Sequence, residues 1–450
     1  MADSALTLFG VRRMLEGVVP PTMVSVGEDG TPHTNYLSLA EYVDAEHLAL
    51  SFQFFNQSRK NVLATRRIAL SLDDPYTGAG VVLQAEYVRT ETSGPVFERL
   101  RAKLAGVASH SGMEAVFVLR GADVFRVLEM RYVPGRKELP AALPRCDLAA
   151  GARAVSESLA ACGDLGDLVD AMMCGLAEQL RIEHAMLWML EPSCEAMTLL
   201  ASHGYPERAT GAELPLGDGL AGIAAREGVP VRIGHIAQMR IYGRAVRERA
   251  SQLGLDPLCN AEIPLPGLAE PRSQMAVPLR AMGRVIGVLF VESEHNQFFG
   301  YDDEDALMLL CGQFAMSLDR LRAIGEAEAE VPAPVVPAQS GQALRVRRFS
   351  QDNSIFLNDD YLIKGVAGAI FWKLVRDYTR EQRSEFTTRE LRLAGTELRL
   401  PDLQDNLDVR LLLLQRRLAE RDAPVRIEKT GRGRFRLCVA CSLQLIDEMR

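Results

Sequence analysis

The stretch GEAEAEVPAPVVPAQSGQA, from Gly325 to Ala343, most limits what this 450-residue chain can become. Proline, alanine and glutamate displace any hydrophobic period there, so a semi-extended linker is expected and no single core can run through it. A second break, PGRKELPAALPRCDLAAG from Pro134 to Gly151, holds three prolines that interrupt any helix or central strand. The expected division is therefore 1–134, 150–324, a linker at 325–344, and 345–450, which suits roughly 150 residues per domain. No period of 20 to 50 residues recurs, which argues against a solenoid or propeller. The whole chain carries a net charge of −8, yet from Arg345 onward 21 lysines and arginines face 16 carboxylates, a balance of +5 that leaves −13 on the first 344 residues. A uniformly basic protein is excluded, and a basic tail is not. The eight cysteines are scattered among apolar or small neighbours and read as buried free thiols of a reducing compartment. With no signal-peptide order at the start and no apolar run of membrane length, a cytoplasmic protein without a membrane partner is expected.

In the first piece a helix is expected over Leu6–Gly17. Thr22–Val26 and Thr31–Ser38 alternate around Asp29-Gly30 as a hairpin does, and His47–Phe55, Arg67–Leu72 and Val81–Glu91 read as further strands. A helix at Phe97–Ala108 precedes a closing strand, which together make a small antiparallel barrel. The most specific segment is FFNQSRKNVLATRRIALSL. Its Ser58, Arg59 and Lys60 stand at a helix start, where a hydroxyl, a guanidinium, an ammonium and orphan amides suit a phosphate; the plainer alternative is a solvated turn. Over about residues 8–132 the chain resembles the FMN-binding split-barrel family that includes pyridoxamine phosphate oxidases. That resemblance implies FMN, with deazaflavin or haem as lesser alternatives, and a phosphate held by Ser58, Arg59 and Lys60. It sets the strand His33–Ser38, with Asn35 and Tyr36, beside the isoalloxazine and Gln84 near its polar edge. FERLRAKLAGVASHSGM lacks the oxidases' tyrosine, arginine and serine spacing, and MRYVPG replaces their closing Arg-x-His strand, so pyridoxamine oxidation is not implied. His33 and His110 read as surface or packing residues rather than ligands.

The middle piece opens with helices at Ala152–Cys162 and Asp167–Arg181 and continues through HAMLWML, TLLASHG, GDGLAGIAAREGVPV and a hairpin with Met-Gly in its turn. It closes with a helix over Asp302–Ile324, giving an α+β sandwich around one antiparallel sheet. The turn-helix-strand, the hairpin and the Phe299, Asp303, Leu307 entry to the last helix together resemble a GAF domain, which implies a sensory or dimerising module with a small-molecule ligand. Arg240, Tyr242, Arg244, Arg247, Arg249 and Cys259 would roof its pocket; as residue types they read equally as a solvated helix and a buried thiol. Leu307, Leu310, Phe314, Leu318 and Leu321 recur at helical steps and could line the domain's own sheet or a homodimer seam, the latter being the expectation.

The tail reads as a hairpin at Ser354–Lys364, a helix with Ile370, Leu374 and Tyr378 on one face, and a capping box from Thr387 to Glu390. A helix with Leu407, Leu411, Leu414 and Leu418 as its stripe and two strands about a Gly-rich basic turn follow. Across about 352–438 it resembles the winged-helix effector domain of response regulators. That implies DNA contacts from Arg410, Gln415, Arg416 and Arg417 on the third helix and Arg432 and Arg434 on the wing. Leu412 and Leu413 depart from the family's polar base-reading positions and fit a protein interface at least as well. Cys438 and Cys441 lack two further ligands for zinc.

The expected whole is a multidomain α+β chain with a split antiparallel β-barrel, a GAF sandwich and a C-terminal winged helix. It reads as a dimeric, one-component, cytoplasmic transcription regulator sensing a flavin, redox or small-molecule signal, and more as a binding protein than an enzyme. The alternative is a flavin-dependent oxidoreductase with a regulatory GAF domain and a protein-docking tail.

Overall fold

The computed structural model describes residues 6–16, 20–53, 57–74, 77–111, 118–135, 146–191, 195–206, 209–236, 265–325, 343–394, 407–431 and 433–448. In the first unit α1 (Leu8–Val11) starts where the Thr7 hydroxyl accepts the Gly10 amide at 3.1 Å, and it tightens into a 3-10 turn at Arg12–Glu16. β1 (Thr22–Val26) and β2 (Pro32–Tyr36) form the expected hairpin, with β3 (Ala40–Tyr42) and β4 (His47–Phe52) next. After α2 (Gln57–Thr65) come β5 (Arg67–Asp73), β6 (Gly80–Glu91), α3 (Pro95–Ser111) and β7 (Gly121–Val133). These strands make a curled antiparallel half-barrel in the order β2-β1-β5-β6-β7-β4-β3. Period-two alternation turns Ile68, Leu70 and Leu72 inward to meet Leu48, Leu83 and Phe125.

The middle unit runs α4 (Leu148–Ala161), α5 (Leu165–Glu178), β8 (His184–Leu190), β9 (Ala196–His203), β10 (Glu213–Pro215), α6 (Gly219–Glu227) and β11 (Val231–Ile233). It ends with β12 (Ser273–Ala281), β13 (Arg284–Ser293) and α7 (Tyr301–Gly325). Met282 and Gly283 join β12 to β13 with φ of 49° and 78°, the paired left-handed conformation of a two-residue hairpin turn. The sheet, ordered β10-β9-β8-β13-β12-β11, is buried on both faces. Leu187 and Met189 face a core shared with α4, α5 and α7, whereas Met186 and Trp188 face α6 and the first unit's α3. Gly106 of α3 lies so close to Leu220, Val231 and Ile233 that a Cβ there would stand 3.1–3.3 Å from their side chains.

Leu307, Leu310, Phe314 and Leu318 are fully buried against the unit's own sheet, and Leu321 packs beside them. A homodimer seam built from those five residues is therefore corrected: their stripe is core.

The last unit comprises β14 (Leu344–Phe349), β15 (Ser354–Leu357), β16 (Asp360–Ile363), α8 (Gly365–Glu381), β17 (Glu385–Thr387), α9 (Thr388–Leu393), α10 (Leu407–Glu420), β18 (Val425–Gly431), β19 (Arg434–Val439) and β20 (Leu443–Glu448). The Thr387 and Glu390 capping box closes reciprocally. β20 runs parallel to β14, so the chain end closes the sheet on which this unit begins. No described helix is long and apolar enough to cross a membrane.

Candidate functional site

The first unit has a pocket of about 240 Å³ between β2, β4 and the start of α2. It brings together Asn35, Tyr36, Ser58 and Arg59 of the residues expected around a flavin. Lys60 is exposed and does not line it, and Gln84 points to the outer face of β6, since Leu83 and Ala85 take the inward positions. Arg59 pairs with Asp123 of β7, donates to the Thr90 hydroxyl at 2.9 Å and lies 4.3 Å from the Phe52 ring centre. The Thr90 hydroxyl in turn donates to the second Asp123 oxygen at 2.6 Å. Burial nevertheless pushes the Asp123 carboxyl above its usual range, against the pull of Thr90 and Arg59. The guanidinium meant for a phosphate is thus already neutralised, and an anion entering here would meet the Asp123 carboxylate. In this arrangement the residues do not fit a flavin phosphate. The Ser58 hydroxyl and the Gln53 side-chain oxygen are buried without a hydrogen bond among the described residues. Asp123 and Thr90 escape sequence reasoning because they lie 64 and 31 residues from Arg59.

A larger cavity, about 610 Å³, opens between the middle unit's sheet and the N-terminal turn of α6. Trp188, Met186, Phe290 and Ile236 supply apolar wall, and Ser109 of α3 reaches it from the first unit. At its floor the buried Glu292 carboxylate accepts the Leu268 amide at 2.7 Å and the Gln274 side-chain amide at 2.9 Å. Burial, reinforced by Glu292, raises the Tyr205 phenol well above its ordinary range and keeps it neutral. The Trp188 indole N–H is buried without an acceptor among the described residues. The expected roof residues Arg240, Tyr242, Arg244, Arg247, Arg249 and Cys259 lie outside the described residues.

The tail residues expected to touch DNA are engaged within the molecule. Arg410 donates to Glu191 at 3.0 Å and Arg416 to Asp170 at 2.6 Å, both on the middle unit. Gln415 donates to the Ile427 carbonyl at 3.2 Å. Arg417 is 4% exposed and donates to the Leu362 carbonyl at 3.1 Å and to Glu420 at 3.2 Å, so it fastens α10 to the tail's own sheet. Arg434 lines a cleft with Asp164, Leu165 and Gly166 at the start of α5, and Arg432 is outside the described residues. Two further pairs, Lys429 to Asp164 at 2.9 Å and Lys364 to Glu213 at 3.0 Å, add to the seam. Leu413 packs beside Met189 and Leu200, and Leu412 approaches Gly166, so the two leucines that break the base-reading pattern meet the middle unit. Their apolarity signalled an interface; nothing in the sequence named its other side.

Residues 163–319 match the family model of the GAF domain and form one. No curated protein matches the chain. Similar solved structures include the GAF domain of an Acinetobacter phosphoenolpyruvate-protein phosphotransferase, at 23% identity and a TM-score of 0.31, covering 40% of this chain and 97% of that one. A free methionine-R-sulfoxide reductase from Neisseria meningitidis is similar at 21% identity and a TM-score of 0.30, covering 39% and 91%. An FMN-binding protein from Syntrophomonas wolfei is similar at 16% identity and a TM-score of 0.25, covering 29% and 88%.

Proposed function

We propose that this chain is a one-component, cytoplasmic transcription regulator whose GAF domain takes a small-molecule signal and whose last unit is a winged helix that binds DNA. The observation that carries the reading is the pairing of α10 cations with GAF carboxylates, Arg416 with Asp170 and Arg410 with Glu191, joined by Lys429 with Asp164. Carboxylate and phosphate oxygens are interchangeable acceptors for such cations. One arginine cannot serve both, so the docked tail is a closed state and DNA selects an open one. The order of elements supports the reading too: α9, a connection, α10 and the β18–β19 hairpin, on the segment that carries +5.

The ligand enters this scheme through the 610 Å³ cavity, whose walls belong to the sheet that also supports the docked α10. A ligand that favours an undocked arrangement of β8 and β9 releases the tail by its difference in affinity for the two states.

The test is retention of duplex DNA by the full chain across a salt series. Asp164→Asn combined with Asp170→Asn should raise affinity several-fold, because the competing carboxylates are gone while Asn still caps α5. Arg416→Ala combined with Lys429→Ala should lower it and reduce the salt slope by about one for each phosphate no longer neutralised. If the acid-to-amide variant retains no DNA at low salt, the reading is wrong.

A further inference from the structure

With its core stripe turned inward, α7 still presents large apolar side chains to solvent. Leu309 is 75% exposed, Met316 70% and Met308 45%. Between them Gly312 has open space where a Cβ would stand. Asp305, Leu309, Gly312 and Met316 follow one another at steps of four, three and four, which puts them on one face of the helix. Arg320 lies one further turn along it. Neither Asp305 nor Arg320 makes an ion pair with another described residue, and both are exposed.

We propose that this face pairs antiparallel with the same face of a second copy of the chain. A two-fold axis crossing the helix at the level of Gly312 and Gln313 sets Leu309 of one copy level with Met316 of the other. The same axis sets Asp305 level with Arg320, each about 11 Å along the helix from the crossing. Both pairings are thereby made twice, apolar against apolar at the centre and opposite charges at the ends. Gly312, bearing no side chain, lets the two backbones come close at the crossing. A parallel pair would set Asp305 against Asp305 and Arg320 against Arg320, a like-charge juxtaposition that disfavours it. The face is continuous over about four turns, which an isolated exposed leucine would not be. It lies on the opposite side of α7 from the buried Leu307 and Phe314, so pairing leaves the GAF core intact.

Sedimentation equilibrium of the full chain at micromolar concentration tests this, with a mass of twice 49.5 kDa expected. Leu309→Glu with Met316→Glu should give monomer at unchanged helix content, since both side chains already sit in water. Asp305→Arg alone should weaken the dimer about tenfold, and Asp305→Arg with Arg320→Asp should restore it, because only the antiparallel pairing reunites opposite charges. A wild-type monomer, a dimer indifferent to the glutamates, or a double reversal that fails to rescue would each overturn the proposal. So would a single reversal that leaves the dimer unchanged, the result a parallel pair gives, since there one like-charge pair merely replaces another. The variants lie away from α10, and DNA retention is scored separately, so failure here leaves the reading of the tail standing.

Discussion

The GAF domain meets its two neighbours through seams that differ in how much of their charge is exposed. Against the first unit, Arg232 is buried between Glu16 at 2.5 Å and Glu304 at 3.1 Å, with its guanidinium 4.5 Å from the Tyr301 ring centre. Around it Ala102 and Gly106 of α3 share a core with Leu220 and Ile233. Against the tail, Arg416–Asp170 and Lys429–Asp164 each keep a partner in water and Lys364–Glu213 is half-buried, while the Arg410 guanidinium is buried against Glu191 and Leu413 joins the apolar cores of the two units beside Met189 and Leu200. A buried pair cannot open without stranding a charge, whereas an exposed pair trades its partner for water or another anion at little cost. The first seam makes one body of two units; the second mixes exchangeable pairs with one buried guanidinium, Arg410, whose release needs another anion.

The largest effect that could break this contrast lies in the first seam. Arg232→Ala strands Glu16 and Glu304 and should lose about 3–5 kcal/mol of stability in urea unfolding. A loss below about 1 kcal/mol would mean this seam is no tighter than the other.

Acid probes the same seam next. Burial depresses the His235 imidazole to about 4, against a smaller opposing pull from Asp74 of the first unit. A base whose folded value lies below its ordinary value of 6.5 favours the fold above that value and withdraws the contribution as pH falls from there towards 4. Between pH 7.5 and pH 5 about 2 kcal/mol should be lost from this group, and His235→Gln should flatten that part of the stability profile.

The smallest effects sharpen the second seam. Asp170→Ala should change global stability by less than about 1 kcal/mol, and Asp164→Ala by about 1–2 kcal/mol, because Asp164 also caps α5 by accepting the Asp167 amide at 3.0 Å. They should nonetheless speed hydrogen exchange in α10 relative to α3, and added salt should mimic them. Equal exchange in the two helices would erase the distinction between the seams.

Much of the architecture was legible in the chain. The helix expected at Asp302–Ile324 runs over Tyr301–Gly325, and the hairpin at Asp29-Gly30 and the Thr387–Glu390 cap form as read. All three rest on contacts within a few residues, which local spacing encodes. The strand expected to reach Phe55 ends at Phe52, and β20 was missed because its pairing with β14 joins segments about a hundred residues apart. The candidate sites were legible in kind alone. Ser58-Arg59-Lys60 announces an anion site by residue type, yet Asp123 takes the arginine, and Asp123→Asn should let the pocket bind inorganic phosphate more tightly than the wild-type chain does.

By itself, then, the sequence determined the alternation that buries each sheet and the concentration of positive charge in the tail, whereas the proline-rich stretches expected to divide the chain lie largely outside the described residues, and one apolar core joins the middle unit to the tail. The alternation and the charge follow from side-chain period and ionisation, properties a residue carries wherever it goes. Tertiary structure alone decided which anion each cation meets. Arg59 found Asp123, Arg232 found Glu16, and Arg416 found Asp170 across 246 residues. Charge acts through space rather than along the chain, so the difference between a fastening and a releasable contact was settled by burial.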